Sequence, residues 1–403
     1  MRIPALLLLL SVLSACGGGG GGGGSPAPPR PLAVAPAKVI LNPGEVQGFR
    51  ALDSLGREVP AAWALEGGST GLSPDGFFTA PPTPGDHRIR ATGGDGGTGT
   101  AAVTVTTAPL PTPSRLGIWL WRLERIAAAS SHAQLASLLR ARGIRRIFLK
   151  VADGSRQNSI QVGLPWDDPA IAPAYHAQGL EVWAWSYNYP GASAYHRDQA
   201  GALLNAARNG FDGFVVDMES EFEGALPSQI TDFYAAFSES RDEALRQGWI
   251  PSRGAFPLFC TTFGNVGSDL PSGQRHPLGG HFTQAQLQAA DALVDGWMPQ
   301  TYLEAWNKVK EPARFLAEGN RVYRACGLVK PLWHITQTEE GEAGPGDIDA
   351  FFAEAFKALG PDAHHTSVWS IPNAGQTNGQ GQRVDARIWD TQGRVDWRVF
   401  TPR

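Results

Sequence analysis

The chain has 403 residues and a formal net charge of −4, from 34 basic and 38 acidic residues. Hydrophobic residues make up 42% of the chain and charged residues 18%, which is enough for a sizeable core and excludes global disorder. The slight excess of acidic residues argues against a nucleic-acid binder, and the length allows two domains with extra terminal segments.

Residues 1–15 have the pattern of a secretory signal peptide. Arg2 supplies the positive start, Ala5–Leu10 the apolar stretch, and Leu13-Ser14-Ala15 the small residues before Cys16. The apolar stretch is too short to span a membrane as a helix. The sequence therefore predicts an exported protein.

Leu-Ser-Ala-Cys resembles the bacterial lipobox, in which the cysteine is acylated and becomes the first residue of the mature protein. The resemblance implies a lipid anchor at Cys16 and a membrane partner in the bacterial cell envelope. Because Gly17 follows Cys16, it also implies the outer membrane in a bacterium with two membranes. The alternative is an ordinary signal peptide with an incidental cysteine.

Residues 16–32 form a predicted tether. Gly17–Gly24 is a run of eight glycines, and a proline-rich stretch follows it. Such a segment is a flexible coil that passes into a stiffer spacer.

Residues 33–107 alternate short β segments with turns, which predicts a small all-β sandwich. The order Pro-Ala-Lys-Val-Ile-Leu-Asn-Pro-Gly-Glu from Pro36, followed by Gly-Phe-Phe-Thr-Ala-Pro from Gly76, resembles bacterial Ig-like domains of surface proteins. The resemblance implies a spacer or weakly adhesive domain. Residues 108–114, with three prolines, form a second predicted linker.

From Arg115 the pattern changes to strands that alternate with helices. Eight such repeats over residues 115–375 predict an α/β fold, a (β/α)8 TIM barrel. An open doubly wound sheet would also alternate, but no glycine-rich phosphate turn follows the first strand. The predicted strands are Leu116–Trp121, Arg145–Val151, Leu180–Ser186, Gly213–Met218, Phe256–Thr262, Gly296–Tyr302, Leu332–Gln337 and Thr366–Ile371.

The helices between these strands end at glycines, as helix C-terminal caps do. Residues 376–403 form a C-terminal tail of the barrel with a predicted hairpin at Asp390–Gly393. The predicted helices are His132–Arg142, Pro169–Gln178, Arg197–Asn209, Gln229–Gln247, Thr283–Ala290, Glu311–Leu316 and Asp347–Leu359, and the glycines are Gly143, Gly179, Gly210, Gly248 and Gly360.

The active site of such a barrel lies at the carboxyl ends of its strands. The fourth strand ends in Asp217-Met218-Glu219, where alternation places the two acids on one face. Two neighbouring carboxylates at the barrel mouth repel each other, which should raise one pKa and provide a general acid. The alternative is a helix cap or a surface ion pair. Glu221 and Glu223 are interpreted as part of a solvated loop.

Asp-Gly-Phe-Val-Val-Asp-Met-Glu, from Asp212 to Glu219, resembles the Asp-Gly-x-Asp-x-Asp-x-Glu strand of the chitinase and endo-hexosaminidase family, with Val215 in place of the middle acid. The barrel lysozymes that cut peptidoglycan are similar too, in the order of three segments: Gly117-Ile118-Trp119 in the first strand, Phe148–Gly154 in the second and Val216-Asp217-Met218-Glu219 in the fourth. Both resemblances imply a glycoside hydrolase acting on N-acetylated aminosugar polymers, with a polysaccharide or peptidoglycan as substrate. They imply that Glu219 is the acid/base and that Asp217 orients the substrate acetamide.

The tryptophans also favour a glycan. Trp presents a flat apolar face and one N–H donor, which suit a sugar ring. Half of them could equally fill the barrel, and Trp121 and Trp185 are the better stacking candidates. The other candidate substrate-binding residues are Tyr187, Asn188, Gln300, Tyr302 and Trp369; Lys150 and Asp153 suit either a substrate contact or a structural ion pair.

No metal ligand set, serine-hydrolase elbow or cofactor motif is found in the sequence, so we expect no cofactor. Cys260 and Cys326 are expected to be free, buried thiols. The alternatives to a hydrolase are a catalytically inactive glycan-binding protein, which Val215 favours, and a structural envelope lipoprotein.

Overall fold

The computed structural model describes residues 29–107, 116–157, 168–302, 312–337, 365–377 and 381–389, apart from 36, 42, 44–45, 55–57, 69–70 and 387. The predicted signal peptide, the lipidation site Cys16, the linker at 108–114, the helix at 347–359 and the hairpin at 390–393 lie outside these residues.

An all-β part lies at the N-terminal end of the described chain, as predicted. Its strands form three small sheets in the orders β1-β4-β5, β2-β9-β8-β6 and β3-β7. Phe49, Phe78, Ile89 and Val103 are among the buried residues that form its core. The Ig-like assignment and the domain boundaries stay predictions. The strands are β1 (Ala33–Ala35), β2 (Lys38–Leu41), β3 (Val46–Gly48), β4 (Arg50–Leu52), β5 (Glu58–Val59), β6 (Ala61–Leu65), β7 (Phe77–Thr79), β8 (Gly85–Gly93) and β9 (Thr98–Val105).

Eight parallel strands form a closed barrel, which confirms the predicted (β/α)8 fold. The first strand pairs with both the second and the last, so the sheet has no free edge. A short antiparallel strand, β12 (Arg156–Gln157), extends the second barrel strand. The barrel strands are β10 (Gly117–Leu120), β11 (Arg146–Asp153), β13 (Glu181–Tyr187), β14 (Gly213–Asp217), β15 (Leu258–Phe263), β16 (Gly296–Gln300), β17 (Ile335–Gln337) and β18 (Ser367–Trp369).

The helices lie between the strands, and four of the predicted glycine caps have positive φ: Gly143 at 83°, Gly179 at 68°, Gly210 at 78° and Gly248 at 72°. None of the helices in the described part of the chain is long and apolar enough to cross a membrane. The helices are α1 (His132–Ala141), α2 (Ile171–His176), α3 (Ser193–Arg208), α4 (Pro227–Arg246), α5 (Gln284–Asp291) and α6 (Pro312–Ala325).

Two helices are longer than the sequence predicted. α3 begins at Ser193 and not at Arg197, because Nε2 of His196 accepts a hydrogen bond from the backbone N–H of Gly191 and fixes the first turn. α6 continues through Gly319, where the prediction had ended it at Leu316. Val322 and Tyr323 are fully buried, so packing outweighs the weak helix propensity of that glycine.

Aromatic rings fill the barrel interior beneath its mouth. Phe148 and Trp119 stack with centroids 4.5 Å apart, and Trp183 lies edge-on to Phe259 at 5.5 Å. Glycines make room for these rings: a Cβ at Gly117 would lie 2.6 Å from Phe148. The interior below the mouth is therefore mainly aromatic, with the buried guanidinium of Arg146 lying 4.5 Å from the Trp333 ring.

Candidate functional site

Asp217 and Glu219 lie at the carboxyl end of β14, as the sequence predicted. Val215 belongs to the inner aromatic cluster, whereas Val216 and Met218 pack in the outer core between strands and helices. Residues 215, 217 and 219 therefore follow the inward face, and Asp217 is 5% exposed. The two acids are held above the apolar interior at the barrel mouth.

Gln300, at the end of β16, joins the two acids. Its Nε2 donates to Oδ1 of Asp217 at 3.0 Å and to Oε1 of Glu219 at 2.9 Å. The two carboxyl groups therefore lie close together, and their like charges disfavour the ionisation of both at once.

Burial raises the pKa of Asp217 well above its ordinary value, and the neighbouring charge of Glu219 raises it further. Burial also raises the pKa of Glu219. The Lys150 ammonium and the Gln300 amide oppose both shifts. A carboxyl group whose pKa is raised in this way is suited to act as a general acid.

Lys150 forms an ion pair with Asp153, with Nζ 2.7 Å from Oδ2, and its side chain is 6% exposed. The second oxygen of Asp153 accepts a hydrogen bond from the Tyr189 hydroxyl at 2.9 Å. Of the two predicted alternatives for Lys150 and Asp153, the structure therefore shows the ion pair. The ammonium also lies 5.2 Å from the Trp185 ring and 5.6 Å from the Tyr187 ring.

Tyr187 and Glu221 form a second hydrogen-bonded pair next to the acids. The Tyr187 hydroxyl lies 2.8 Å from both carboxyl oxygens of Glu221. The charge of Glu221 raises the pKa of Asp217 and Glu219, after burial and other causes. Glu221 is exposed in the 3-10 turn Ser220–Phe222, which agrees with the predicted solvated loop, and its bond to Tyr187 is the contact that the sequence could not show.

The tryptophans divide between packing and the mouth. Trp119 and Trp183 fill the barrel, and Trp297 packs outside it against the helices. Trp185 is 2% exposed, and its indole N–H donates to the carbonyl of Leu120 at 3.3 Å. The predicted stacking role of Trp185 is therefore not supported, because its ring faces other side chains on the barrel floor.

Trp121, Trp369 and Tyr302 are half-buried at the rim of the mouth. The Tyr302 and Trp369 rings lie 6.5 Å apart. These three residues and Tyr187 are the predicted binding residues that keep aromatic surface open at the mouth.

Asn188 is fully buried, with its amide donating to Oε1 of Gln199 at 3.2 Å and its carbonyl accepting from Ser186 at 2.9 Å. Both of its polar atoms serve the fold, and the side chain does not reach the mouth. Gln300 was predicted to bind sugar hydroxyls, but the structure gives its amide N–H groups to the acids. The predicted sugar contact of Asn188 is therefore not supported, and the sequence could not show the partners of either residue.

No group of three or more His, Cys, Asp or Glu side chains that could hold a metal ion occurs among the described residues. Cys260 and Cys326 are free and buried, as predicted. His334 is buried between Thr301 and Asn320, and burial lowers its pKa to about 3, so it stays neutral in the core.

No protein-family model matches the chain, and no curated protein matches it. A family 39 glycoside hydrolase from Bacteroides cellulosilyticus WH2 superposes with 12% identity over 90% of this chain and 82% of its own, at a TM-score of 0.43.

The active domain 2 of chitinase from Pyrococcus furiosus superposes with 12% identity over 72% of this chain and 97% of its own, at a TM-score of 0.44. A sugar phosphate isomerase/epimerase from Parabacteroides distasonis superposes with 10% identity over 73% of this chain and 97% of its own, at a TM-score of 0.40. These identities and TM-scores are too low to transfer a function, so the function has to follow from the chemistry of the site.

Proposed function

We propose that the chain is a glycoside hydrolase that cleaves an N-acetylated aminosugar polymer, such as peptidoglycan or a related glycan. The observation that carries the proposal is the bridge from Gln300 to both Asp217 and Glu219 at the barrel mouth. Glycosidic bond cleavage requires a carboxyl group that protonates the leaving oxygen and a second carboxylate beside it, and the raised pKa of Glu219 suits the first role.

Glu219 is the proposed proton donor to the leaving oxygen, because it lies further toward the mouth than Asp217. Asp217 is the more deeply buried acid, and burial raises its pKa well above the ordinary value. Asp217, once ionised, would accept a hydrogen bond from the acetamide N–H of the substrate.

The separation of the two acids bears on the stereochemistry. Because one nitrogen of Gln300 binds an oxygen of each acid, those oxygens lie less than about 6 Å apart. Inverting glycosidases keep their carboxyl groups roughly 6.5–9.5 Å apart to hold a water between them. We therefore propose retention: the acetamide oxygen attacks the anomeric carbon as the glycosidic bond breaks, and water then opens the cyclic intermediate. Proton NMR of the first-formed anomer tests this step.

The activity is tested with chitin oligosaccharides and purified peptidoglycan as substrates and with the release of reducing ends as the readout. We expect Glu219→Gln to lower kcat by at least about a hundredfold, the lower end of the effect of general acid catalysis. Its thermal unfolding should stay close to that of the wild type. Glu239→Gln, on the outer face of α4, removes the same charge away from the mouth and should leave the rate unchanged. A wild-type rate in Glu219→Gln would exclude this assignment.

Val215 favours a second candidate function, a glycan-binding protein without catalysis. It is fully buried among aromatic residues where the chitinase-like strand has an acid. This candidate predicts saccharide binding without release of reducing ends, and equal binding by Glu219→Gln and the wild type.

We also propose that Cys16 carries a lipid that anchors the protein in the cell envelope, in the outer membrane of a bacterium with two membranes. The pattern at residues 13–16 supports it. Cys16→Ala in the full-length protein should move it from the membrane fraction to the soluble fraction. Membrane association of that variant would contradict the anchor.

A further inference from the structure

Three cations surround a single tryptophan at the edge of the barrel mouth. The guanidinium carbons of Arg125 and Arg122 lie 4.8 Å and 5.6 Å from the centroid of the Trp121 ring, and Nζ of Lys150 lies 5.8 Å from it. Trp121 and both arginines follow directly after β10, the first barrel strand. This side of the mouth is therefore positive, whereas the β14 side carries the acids.

The positive charge on this side is only partly balanced. Asp153 pairs with Lys150, and Glu124 lies 3.6 Å from Arg122. Nε of Arg122 is buried and makes no hydrogen bond within the described chain. Arg125 is exposed and has no carboxylate partner among the described residues. Among the described residues no carboxylate therefore neutralises Arg125, and its guanidinium can bind an anion.

The backbone that presents Arg125 is fixed. The carbonyl of Arg125 accepts a hydrogen bond from the N–H of Ala374, and Ile126 pairs with Asn373 in a β-bridge. The segment that follows β18 is thus hydrogen-bonded to the segment that follows β10. A guanidinium on such a support is held beside Trp121 at a smaller entropic cost than one on a free loop.

Lys150 connects the positive side to the acids. Its ammonium lies near both the Trp121 and the Tyr187 rings, and the Tyr187 hydroxyl binds Glu221 beside the carboxyl pair. A saccharide in the mouth with its scissile bond at Glu219 would therefore place a neighbouring sugar near Trp121 and Arg125.

We propose that Trp121 and Arg125 form a subsite for a sugar that carries a carboxylate, so that the substrate class is an anionic glycan with N-acetylated aminosugars next to carboxylate-bearing sugars. The planar guanidinium matches a carboxylate with two parallel hydrogen bonds, and the indole ring supplies the stacking surface. The inference rests on the proposed function and narrows its substrate. The carboxylate can belong to a uronic acid ring or to the lactyl group of muramic acid.

The test measures binding by calorimetry to Glu219→Gln, in which turnover is suppressed. The ligands are a neutral N-acetylglucosamine hexamer, a hyaluronan hexamer as the uronate probe, its carboxyl-reduced form, and a glycan chain with alternating N-acetylmuramic acid. We expect at least one of the two anionic ligands to bind about tenfold more tightly than the neutral hexamer, the effect of one good hydrogen bond to a charged group. The ligand that shows this gain identifies the source of the carboxylate.

Arg125→Ala, added to Glu219→Gln, should remove that gain and leave the affinity for the neutral hexamer unchanged. Arg208→Ala is the matched control, because Arg208 is an exposed arginine at the end of α3, at the opposite end of the barrel. The Arg208→Ala variant should keep the full gain in affinity. In the parent Glu219→Gln protein, 0.5 M salt should reduce this gain, because the Debye length shrinks to about 4 Å and screens the charges.

Three results would overturn the inference. The first is equal affinity for hyaluronan and its reduced form, together with no gain in affinity for the muramic acid chain. The second is an equal loss of affinity for neutral and anionic ligands in Arg125→Ala, and the third is no saccharide binding at all. The first two leave the proposed function intact if the wild type still releases reducing ends and Glu219→Gln does not. Binding of anionic ligands without any release would instead exclude hydrolysis and keep the subsite.

Discussion

Gln300 donates an amide hydrogen to Asp217 across one intervening strand, since β15 lies between β16 and β14. The second hydrogen of the same amide goes to Glu219. Gln300 thus uses its whole donor capacity on the acids. It fixes their separation and stabilises whatever negative charge the pair carries.

We predict that Gln300→Met, which keeps the length and removes both donors, lowers kcat by about a hundredfold through misplacement of the acids. The loss of the hydrogen bonds should also raise the pKa of the pair, so the alkaline limb of the pH–rate profile should move to higher pH. KM should change little, because Gln300 has no free N–H for the substrate. A large rise in KM with an unchanged kcat would instead show that Gln300 binds sugar directly.

Asp217→Asn should make the folded protein more stable at neutral pH although it removes the hydrolytic activity. Burial raises the folded-state pKa of Asp217, so the folded protein prefers the neutral acid. The wild type therefore loses stability as the pH rises from about 3.9, the ordinary pKa of Asp, to the raised pKa of the folded state, by about 1.4 kcal/mol for each pH unit between the two. The amide cannot ionise and avoids this loss.

Thermal melts from pH 3 to pH 8 measure the effect. Asp217→Asn should have a higher Tm than the wild type at pH 7 and a similar Tm at pH 3, while its hydrolytic activity is lost. A Tm below that of the wild type at every pH would mean that the carboxylate stabilises the fold, contrary to its burial.

Lys150→Met should shift the pH dependence of activity. The charge of Lys150 lowers the pKa of both Asp217 and Glu219 against the larger effect of burial. Without the Lys150 charge, Asp217 and Glu219 stay protonated to higher pH, so the alkaline limb of the pH–rate profile should move to higher pH. Lys150→Arg keeps the charge and should keep the limb near its wild-type position. The same limb in Lys150→Met and the wild type would show that the ammonium is too screened to act on the acids.

The sequence was informative where the pattern is local. Alternation along β14 placed Asp217 and Glu219 on one inward face, and glycines such as Gly143 predicted where helices end. The partners of these side chains depend on residues far along the chain: Gln300 is 83 positions from Asp217, and no spacing rule relates them. The burial of Trp185 was equally hidden, since a tryptophan at a strand end suits both a barrel floor and an open stacking surface.

The neighbours of Val215 determine which side chains fit at position 215. It is fully buried, its partners in the neighbouring strands are Trp185 and Phe259, and the aromatic cluster surrounds it. The substitution Val215→Asp would place a carboxyl group at this position, buried among aromatic rings and without a hydrogen-bond donor aimed at it. Val215→Asp should therefore lower the free energy of unfolding by about 3–5 kcal/mol, as for an uncompensated buried charge.

Urea unfolding at pH 5 and pH 8 measures this cost. The loss in Val215→Asp should grow with pH, because the buried acid ionises less readily in the folded than in the unfolded chain. Val215→Thr, which has a similar shape and no charge, should lose less and show no pH dependence. Since Gln300 and Lys150 already stabilise the negative charge of the pair, we expect no gain in rate from the added acid. Full stability and faster hydrolysis in Val215→Asp would instead show that the barrel interior accepts a carboxyl group at this position.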